Sequence, residues 1–313
     1  VAIAEVAKAN SARFKAASHS RLGEAALRGY LVACGGFVVA TTLAMLAYLA
    51  QTGLRGVLEA GIGQLVAGVV WKPEASSFGG FPLIAGTFAS ATGAIVLGAI
   101  PAVLGAVWLT EFAPEPVRRV YRRVMEVASA IPSVVYGWLA LIYLVPLMDT
   151  IAHSLKGEDA PVSGVGLGSA SVLLAIMVAP TVMLLSLDAL ARVPSALRDA
   201  SAALGASSWQ TAFRVSAPYA WRGLLVAVFF GFARAAGETM AVQMVIGGAR
   251  RLPKESFLFS PTTTISAQIV MDMQDARPGT PQNNVLFSMA LILLVVSVGV
   301  VLGTRALGRQ GLK

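Results

Sequence analysis

Arg234 is the residue most out of place in this sequence. It stands inside an apolar stretch, residues 223–246, where an unpaired charge costs about 2.5–3.5 kcal/mol on membrane-insertion scales. Glu238 follows four residues on, so on a continuous helix the two share a face and can pair. Two kinds of chemistry are open to them. A structural ion pair would fasten two helices together. Alternatively, the planar donor fork of Arg234 would meet an oxyanion such as phosphate or sulfate, with Glu238 holding the arginine or releasing it when the anion arrives. Thr239 and Gln243 extend this polar neighbourhood. Ser133 and Tyr136 flank Pro132 in an earlier apolar stretch. They can line the same path, or bond a carbonyl that the proline frees.

The elements that must position these groups are membrane helices. Apolar residues make up 56% of the 313-residue chain and charged residues only 13%, with a mean hydropathy of +0.73. Soluble domains carry about 25% charged residues, so the solvent here is lipid. The 31 glycines suit close helix approach in a bilayer. Six apolar stretches, residues 30–51, 84–109, 128–148, 169–190, 223–246 and 285–304, are each near the roughly 20 residues that span a hydrocarbon core. The first lies too far from the N-terminus, and lacks the small-residue cleavage site, to read as a signal peptide. The fold class is therefore an all-α integral membrane domain over 30–304, between tails at 1–29 and 305–313. The basic 1–29 tail is expected to be poorly ordered or a short surface helix. Pro132 and Gly137 predict a kink in the third stretch.

The net charge of +8 would suit nucleic acid, but its distribution suits a bilayer. The segments 1–29, 111–126, 191–222 and 305–313 hold sixteen Lys and Arg, the alternating loops hold seven, and Arg234 is left over. That asymmetry puts both termini on the cytoplasmic side. The single Cys34 excludes an internal disulfide and a cysteine-based metal centre, and is expected to be a buried, inert thiol. His19 and His153 lie in different flanks and suggest no metal. Asp188 is expected to be a solvated end residue. The chain lacks a Gly-rich loop ending in Lys-Ser/Thr, so it does not bind ATP by that device.

The inside connection at 191–222 carries a second pattern. Ser195 to Gly205 reads as a short amphipathic helix, with Ser195 as N-cap and Gly205 as a left-handed stop. Leu197, Ala200, Ala203 and Leu204 form its small apolar face, followed by Trp209 and Phe213. Such a helix either lies on the membrane interface or docks on another protein. The order Asp199-Ala200-Ser201, three residues, Gly205, nine residues, Val215-Ser216-Ala217-Pro218 resembles the permease signature of ABC importers: Glu-Ala-Ala, three residues, Gly, nine residues, Ile-x-Leu-Pro. Here Asp199 stands for the Glu, Ser201 for the second Ala, Val215 for the Ile and Ala217 for the Leu. The resemblance implies that Asp199, Ala200, Ser201, Leu204, Gly205 and Pro218 belong to a coupling helix and its flanks, docked in a groove of an ATPase subunit.

Arg234-Ala-Ala-Gly-Glu-Thr-Met-Ala-Val242, with Ala130-Ile-Pro-Ser-Val-Val-Tyr-Gly137, is similar to the C-type permease of the high-affinity phosphate ABC importer over roughly residues 84–304. That resemblance implies a type I importer architecture in the bacterial inner membrane, and phosphate passage at Arg234 and Glu238. It also implies a homologous second permease, a dimeric cytoplasmic ATPase and a periplasmic phosphate-binding protein docked on the outside loops 52–83, 149–168 and 247–284. ATP and Mg would be bound by the ATPase, and this chain would carry no catalysis and no cofactor. The mechanism implied is alternating access. Permeases for sulfate or molybdate share the coupling loop. An ion-coupled secondary transporter would show no such loop, and a membrane phosphatase would cluster acids or histidines at one face.

Overall fold

The structure is a computed structural model that describes residues 2–253 and 256–309, with side chains described over 26–253 and 256–303. The 305–313 tail, the basic residues and His19 of the N-terminal segment before residue 26, and Lys254 fall outside those side chains. The chain divides into two compact units, Val1–Gln51 and Thr52–Lys313.

In the first unit a single helix carries the chain; it is the start of a helix running from Ala2 to Ala60, longer at both ends than residues 30–51. Its side chains from Ala26 to Tyr48 are exposed, because a lone helix has nothing of its own to bury them against. Cys34 is exposed with them, which corrects the expectation of a buried thiol.

Among the described residues, six helices are long and apolar enough to cross a membrane: Ala26–Ala60, Phe81–Glu111, Ser133–Lys156, Leu167–Ala191, Ser208–Gly237 and Pro281–Gly303. They are called spans one to six below. They overlap the six stretches read from the sequence, but two differ in ways that matter. Residues 128–130 belong to a separate helix, Glu115–Ala130, and span three begins only after Pro132. Proline has no N–H and pushes the residue before it out of the helical region; Ile131 accordingly has ψ 131°. Span five starts at Ser208 and stops at Gly237; Glu238 is extended, with ψ 131°, and a short separate helix follows at Met240–Ile246.

Three spans contain one widened, π-type turn each: Ile95–Ala99, Ala140–Leu144 and Ala212–Ser216. Each lies just ahead of a proline, Pro101, Pro146 or Pro218. A proline ring clashes with the carbonyl four residues back, and a widened turn moves that carbonyl aside without breaking the helix.

Span four is the axis of the second unit and the most buried of the six spans. Spans two and five pack against it through glycines. A Cβ on Gly98 would sit 2.4 Å from the Ala175 carbonyl oxygen, and one on Gly231 would sit 2.6 Å from the Val182 side chain. In a bilayer such contact, rather than expulsion of water, drives helices together. Ala91, Ala106, Leu174, Val178 and Ala227 belong to the resulting core.

The connections between spans one and two and between spans five and six are more structured than loops. Residues 62–67 are helical, Trp71–Lys72 pairs with Ser77–Phe78 as a small antiparallel hairpin, and Ile265–Met273 forms another helix. Asp272 joins these pieces. Its buried carboxylate accepts from Trp71 Nε1 at 2.9 Å and from Arg250 Nη2 at 2.5 Å. Trp71, Phe78, Leu83, Ile265 and Leu286 close a second apolar cluster around it.

Candidate functional site

Arg234 occupies the last turn of span five, where the carbonyl ends of a helix favour a cation. Its Nη1 donates to the Thr181 hydroxyl at 2.6 Å. Thr181 follows Pro180 inside span four. It lies fourteen residues from Leu167 and ten from Ala191, or about 21 Å and about 15 Å along the helix axis. The half-buried guanidinium is thus held near mid-depth, with most of its five donors uncommitted among the described residues.

The expected pairing with Glu238 does not form among the described residues. The helix ends at Gly237, and the extended backbone at Glu238 removes it from the face that Arg234 presents. Four-residue spacing brings side chains together only while the helix continues. The Glu238 side chain is half-buried without an ion-pair partner among the described residues. Its backbone carbonyl, released by the break, accepts from the Ser266 hydroxyl at 2.8 Å. Thr239 occupies the N-cap position of the short helix that follows without a side-chain cap bond; its hydroxyl instead donates to the Gly237 carbonyl at 3.2 Å. Arg234, Glu238 and Thr239 therefore surround one helix break inside the membrane domain.

Gln243 lies half-buried on the short helix Met240–Ile246. That helix packs on the start of span three, where a Cβ on Gly137 would meet Met244 Sδ at 2.8 Å and Ala241 Cα at 2.9 Å. Ser133 and Tyr136 sit on this same turn of span three. The Tyr136 hydroxyl is spoken for: it donates to the Ala128 carbonyl at 2.9 Å and bridges the break at Pro132. Two interrupted helices, each with its break tied by a hydroxyl, are thus laid side by side. No hydrogen bond joins Ser133 or Tyr136 to Arg234 among the described residues.

A cavity of about 180 Å³ lies beside span five, lined by Phe88, Phe232, Ala236, Ile265 and other apolar groups. Phe232 and Ala236 are each two residues from Arg234, about 200° around the helix. The cavity is apolar and behind the arginine, unsuited to an anion.

The connection at 191–222 has the helix expected of it, Ser195–Ala203, with one correction. Pro194 is the N-cap and Ser195 is already helical, with no side-chain cap. Gly205 takes φ +79°, the left-handed stop. Asp199, Ala200, Ala203 and Leu204 face outward, Leu204 with 88% of its surface exposed. Ser201 faces inward instead, its hydroxyl 2.8 Å from that of Thr211. Ser207 and Gln210 form a capping box at the start of span five, and Pro218 is the second residue of the regular helix, Ala217–Gly237, beyond the widened turn. Arg198 fixes the underside. It pairs with the buried Glu111 at 3.1 Å and donates to the carbonyls of Leu190 and Val193, each at 3.2 Å. The outward face is small and apolar, and the inward face is bolted to spans two and four.

Asp188, near the end of span four, is half-exposed, as expected of a solvated end residue, and it is also ion-paired. It binds Arg122 at 2.9 Å. That hydrogen bond and the carboxylate's charge, with a smaller contribution from Glu126, raise the Arg122 guanidinium above its ordinary value. The sequence reading missed Thr181, Ser266 and the Asp272–Arg250–Trp71 knot. Only Thr181 carried a local signal, a hydroxyl directly after an intramembrane proline.

The comparisons agree with this architecture. A family model described as "Binding-protein-dependent transport system inner membrane component" matches residues 94–310. The chain is 36% identical over 281 residues to the probable ABC transporter permease protein YqgH of Bacillus subtilis, covering 88% of each chain. It is 35% identical over 240 residues to the phosphate transport system permease protein PstC of Mesorhizobium japonicum, covering 72% of each. Among solved structures, a bacterial ABC transporter for import of the acidic polysaccharide alginate aligns with a TM-score of 0.60 at 16% identity, covering 94% of this chain and 100% of that one. The MetNI methionine ABC transporter aligns with a TM-score of 0.52 at 20% identity, covering 74% and 93%. At those identities the structures speak for the fold alone.

Proposed function

The chain belongs to the family of binding-protein-dependent transport system inner membrane components, and from that premise we propose that it forms the inorganic phosphate path of an ATP-driven importer. A subunit of this family is non-catalytic; the ATPase is a separate partner. The observation that carries the substrate is Arg234. It is a guanidinium near mid-depth, steadied by a neutral hydroxyl instead of a carboxylate, at the end of a helix that breaks there. A paired arginine would present no net charge to an anion. This one keeps its charge and most of its donors for phosphate oxygens, and a single cation binds weakly enough to let the anion leave.

Glu238 stands at the break as a mobile counter-charge, taking up Arg234 when the path empties. Thr239, Gln243 and Ser133 offer further polar contacts nearby, and Tyr136 holds the wall. The Ser195–Ala203 helix docks in the ATPase by Asp199, Ala200 and Leu204. Ser201, Gly205 and Pro218 fix its shape, and ATP and Mg are held by that partner. Movement of the helix is passed through Arg198 to the ends of spans two and four. With the loop 191–222 inside, both termini are cytoplasmic. The hairpin and the outer helix, bound together at Asp272, face a periplasmic phosphate-binding protein, and a homologous second permease completes the channel.

The relatives named as phosphate permeases support phosphate over sulfate or molybdate. The test is ATP-dependent uptake of labelled phosphate into proteoliposomes carrying the full complex and its binding protein, against a hundredfold excess of sulfate. Uptake that ignores sulfate is the expected result. Uptake suppressed by sulfate identifies a broader oxyanion importer.

A further inference from the structure

A second group of arginines lies away from the break. Arg118, Arg119 and Arg122, on the helix Glu115–Ala130, and Arg198, on the loop helix, open onto a cavity of about 520 Å³. Its floor is the end of span two, at Thr110 and Glu111, and its side is the end of span four, at Leu187 and Ala191. Three of the four cations are held in place by acids. Arg118 pairs with Glu115, Arg122 with Asp188 and Glu126, and Arg198 with Glu111. Arg119 has no carboxylate partner among the described residues. Four carboxylates, Glu111, Glu115, Glu126 and Asp188, balance the four guanidinium groups; the salt bridges fix three of the forks before any ligand arrives, and Arg119 is the fork left uncommitted to an acid among the described residues. The helix Glu115–Ala130 buries none of its residues. It also exposes Val120, Tyr121, Val124 and Val127, the composition of a helix seated at a lipid headgroup layer.

The geometry points to this cavity as a binding site for a phosphate-type oxyanion, with Arg119 as its free fork and Arg118 and Arg122 as its walls. The inference rests on the inside placement of the 111–126 segment proposed above. Planar donor forks match phosphate oxygens two at a time, and basic pockets at the cytoplasmic ends of membrane helices suit headgroup phosphates. Two sources present that chemistry at this depth: an anionic phospholipid headgroup, and inorganic phosphate on the cytoplasmic side. Either would join the spans to Arg198, and so reach the helix that receives the ATPase's motion.

The test needs no transport. The full complex in phosphatidylcholine nanodiscs is titrated with inorganic phosphate. In a second arm, nanodiscs carry increasing phosphatidylglycerol and no phosphate. The melting temperature is read in both. Arg234→Ala is run in parallel, so that anion held in the transport path does not contribute. The result expected is stabilisation in one arm at least, with the half-effect point raised about tenfold by Arg119→Gln and unmoved by Arg214→Gln, a basic position in the widened turn of span five and outside the cavity. The arm that responds names the source. No stabilisation in either arm, or half-effect points alike in wild type and both glutamine variants, overturns the site. Failure of phosphate uptake in the proteoliposome assay would bear on Arg234 and leave this result standing.

Discussion

Arg234 donates to the hydroxyl of Thr181 at 2.6 Å and leaves Glu238, four residues along the chain, without an ion-pair partner among the described residues. The choice of partner sets the electrostatics of the site. A hydroxyl orients the guanidinium without cancelling its charge, whereas a carboxylate would do both. Hydrogen bonds to a charged group contribute about 1.5–3 kcal/mol, enough to fix one rotamer of a half-buried arginine. Thr181→Val, which keeps the shape, is therefore expected to cut phosphate uptake about tenfold while the complex still assembles. Thr181→Ser is expected to restore most of it. Equal uptake in Val and Ser variants would show that the bond does not matter to passage.

Ser266 holds the carbonyl that the break at Glu238 releases. An unmet carbonyl in an apolar setting costs about 1–3 kcal/mol, so Ser266→Ala lets the 237–239 segment shift. The expected outcome is a lower maximal uptake rate with near-normal melting temperature, recovered by Ser266→Thr. A drop in melting temperature with uptake per folded complex unchanged would assign Ser266 to stability alone.

Leu204 is almost fully exposed on the loop helix. Leu204→Glu should leave the chain's own fold intact. It should also abolish ATP-driven uptake and weaken co-purification of the ATPase. Normal co-purification and uptake would remove this face from the docking surface.

Asp272 is buried, and both its oxygens are used, by Trp71 and Arg250. Removing one member of a buried pair costs about 3–5 kcal/mol. Arg250 keeps part of its side chain in water, so about 2–3 kcal/mol is the reasonable expectation for Asp272→Ala. The melting temperature of the complex should fall by roughly 5–10 °C, and capture of the binding protein should weaken. An unchanged melting temperature would contradict a structural knot there.

Much of this protein was legible in its composition. Six apolar stretches gave six helices, because length and apolarity alone decide what can cross a bilayer. The loop signature ended in a helix with its left-handed glycine at Gly205, because that glycine's φ is a local property of the chain. The breaks were legible only in part. Pro132 announced one, and Ile131 turned extended as proline chemistry requires. Nothing at Gly237-Glu238-Thr239 announced the other. It depends on Ser266, 28 residues away, and on packing of Met240–Ile246 against Gly137. The Arg234–Glu238 pair was misread for that reason: the spacing argument assumed a helix that tertiary contacts had ended. The contacts of Thr181 and Asp272 were out of reach for the same cause: Arg234 lies 53 residues from Thr181, and Trp71 and Arg250 lie 201 and 22 residues from Asp272.

The central claim is that Arg234 is a free cation on the phosphate path, and uptake by charge-conserving and charge-removing variants tests it most directly. Labelled phosphate uptake by the ATP-energised complex should be lost in Arg234→Ala, and partly kept in Arg234→Lys, with subunit assembly and nucleotide binding unchanged in both. Full uptake by an assembled Arg234→Ala complex would contradict the account and return Arg234 to a purely structural role.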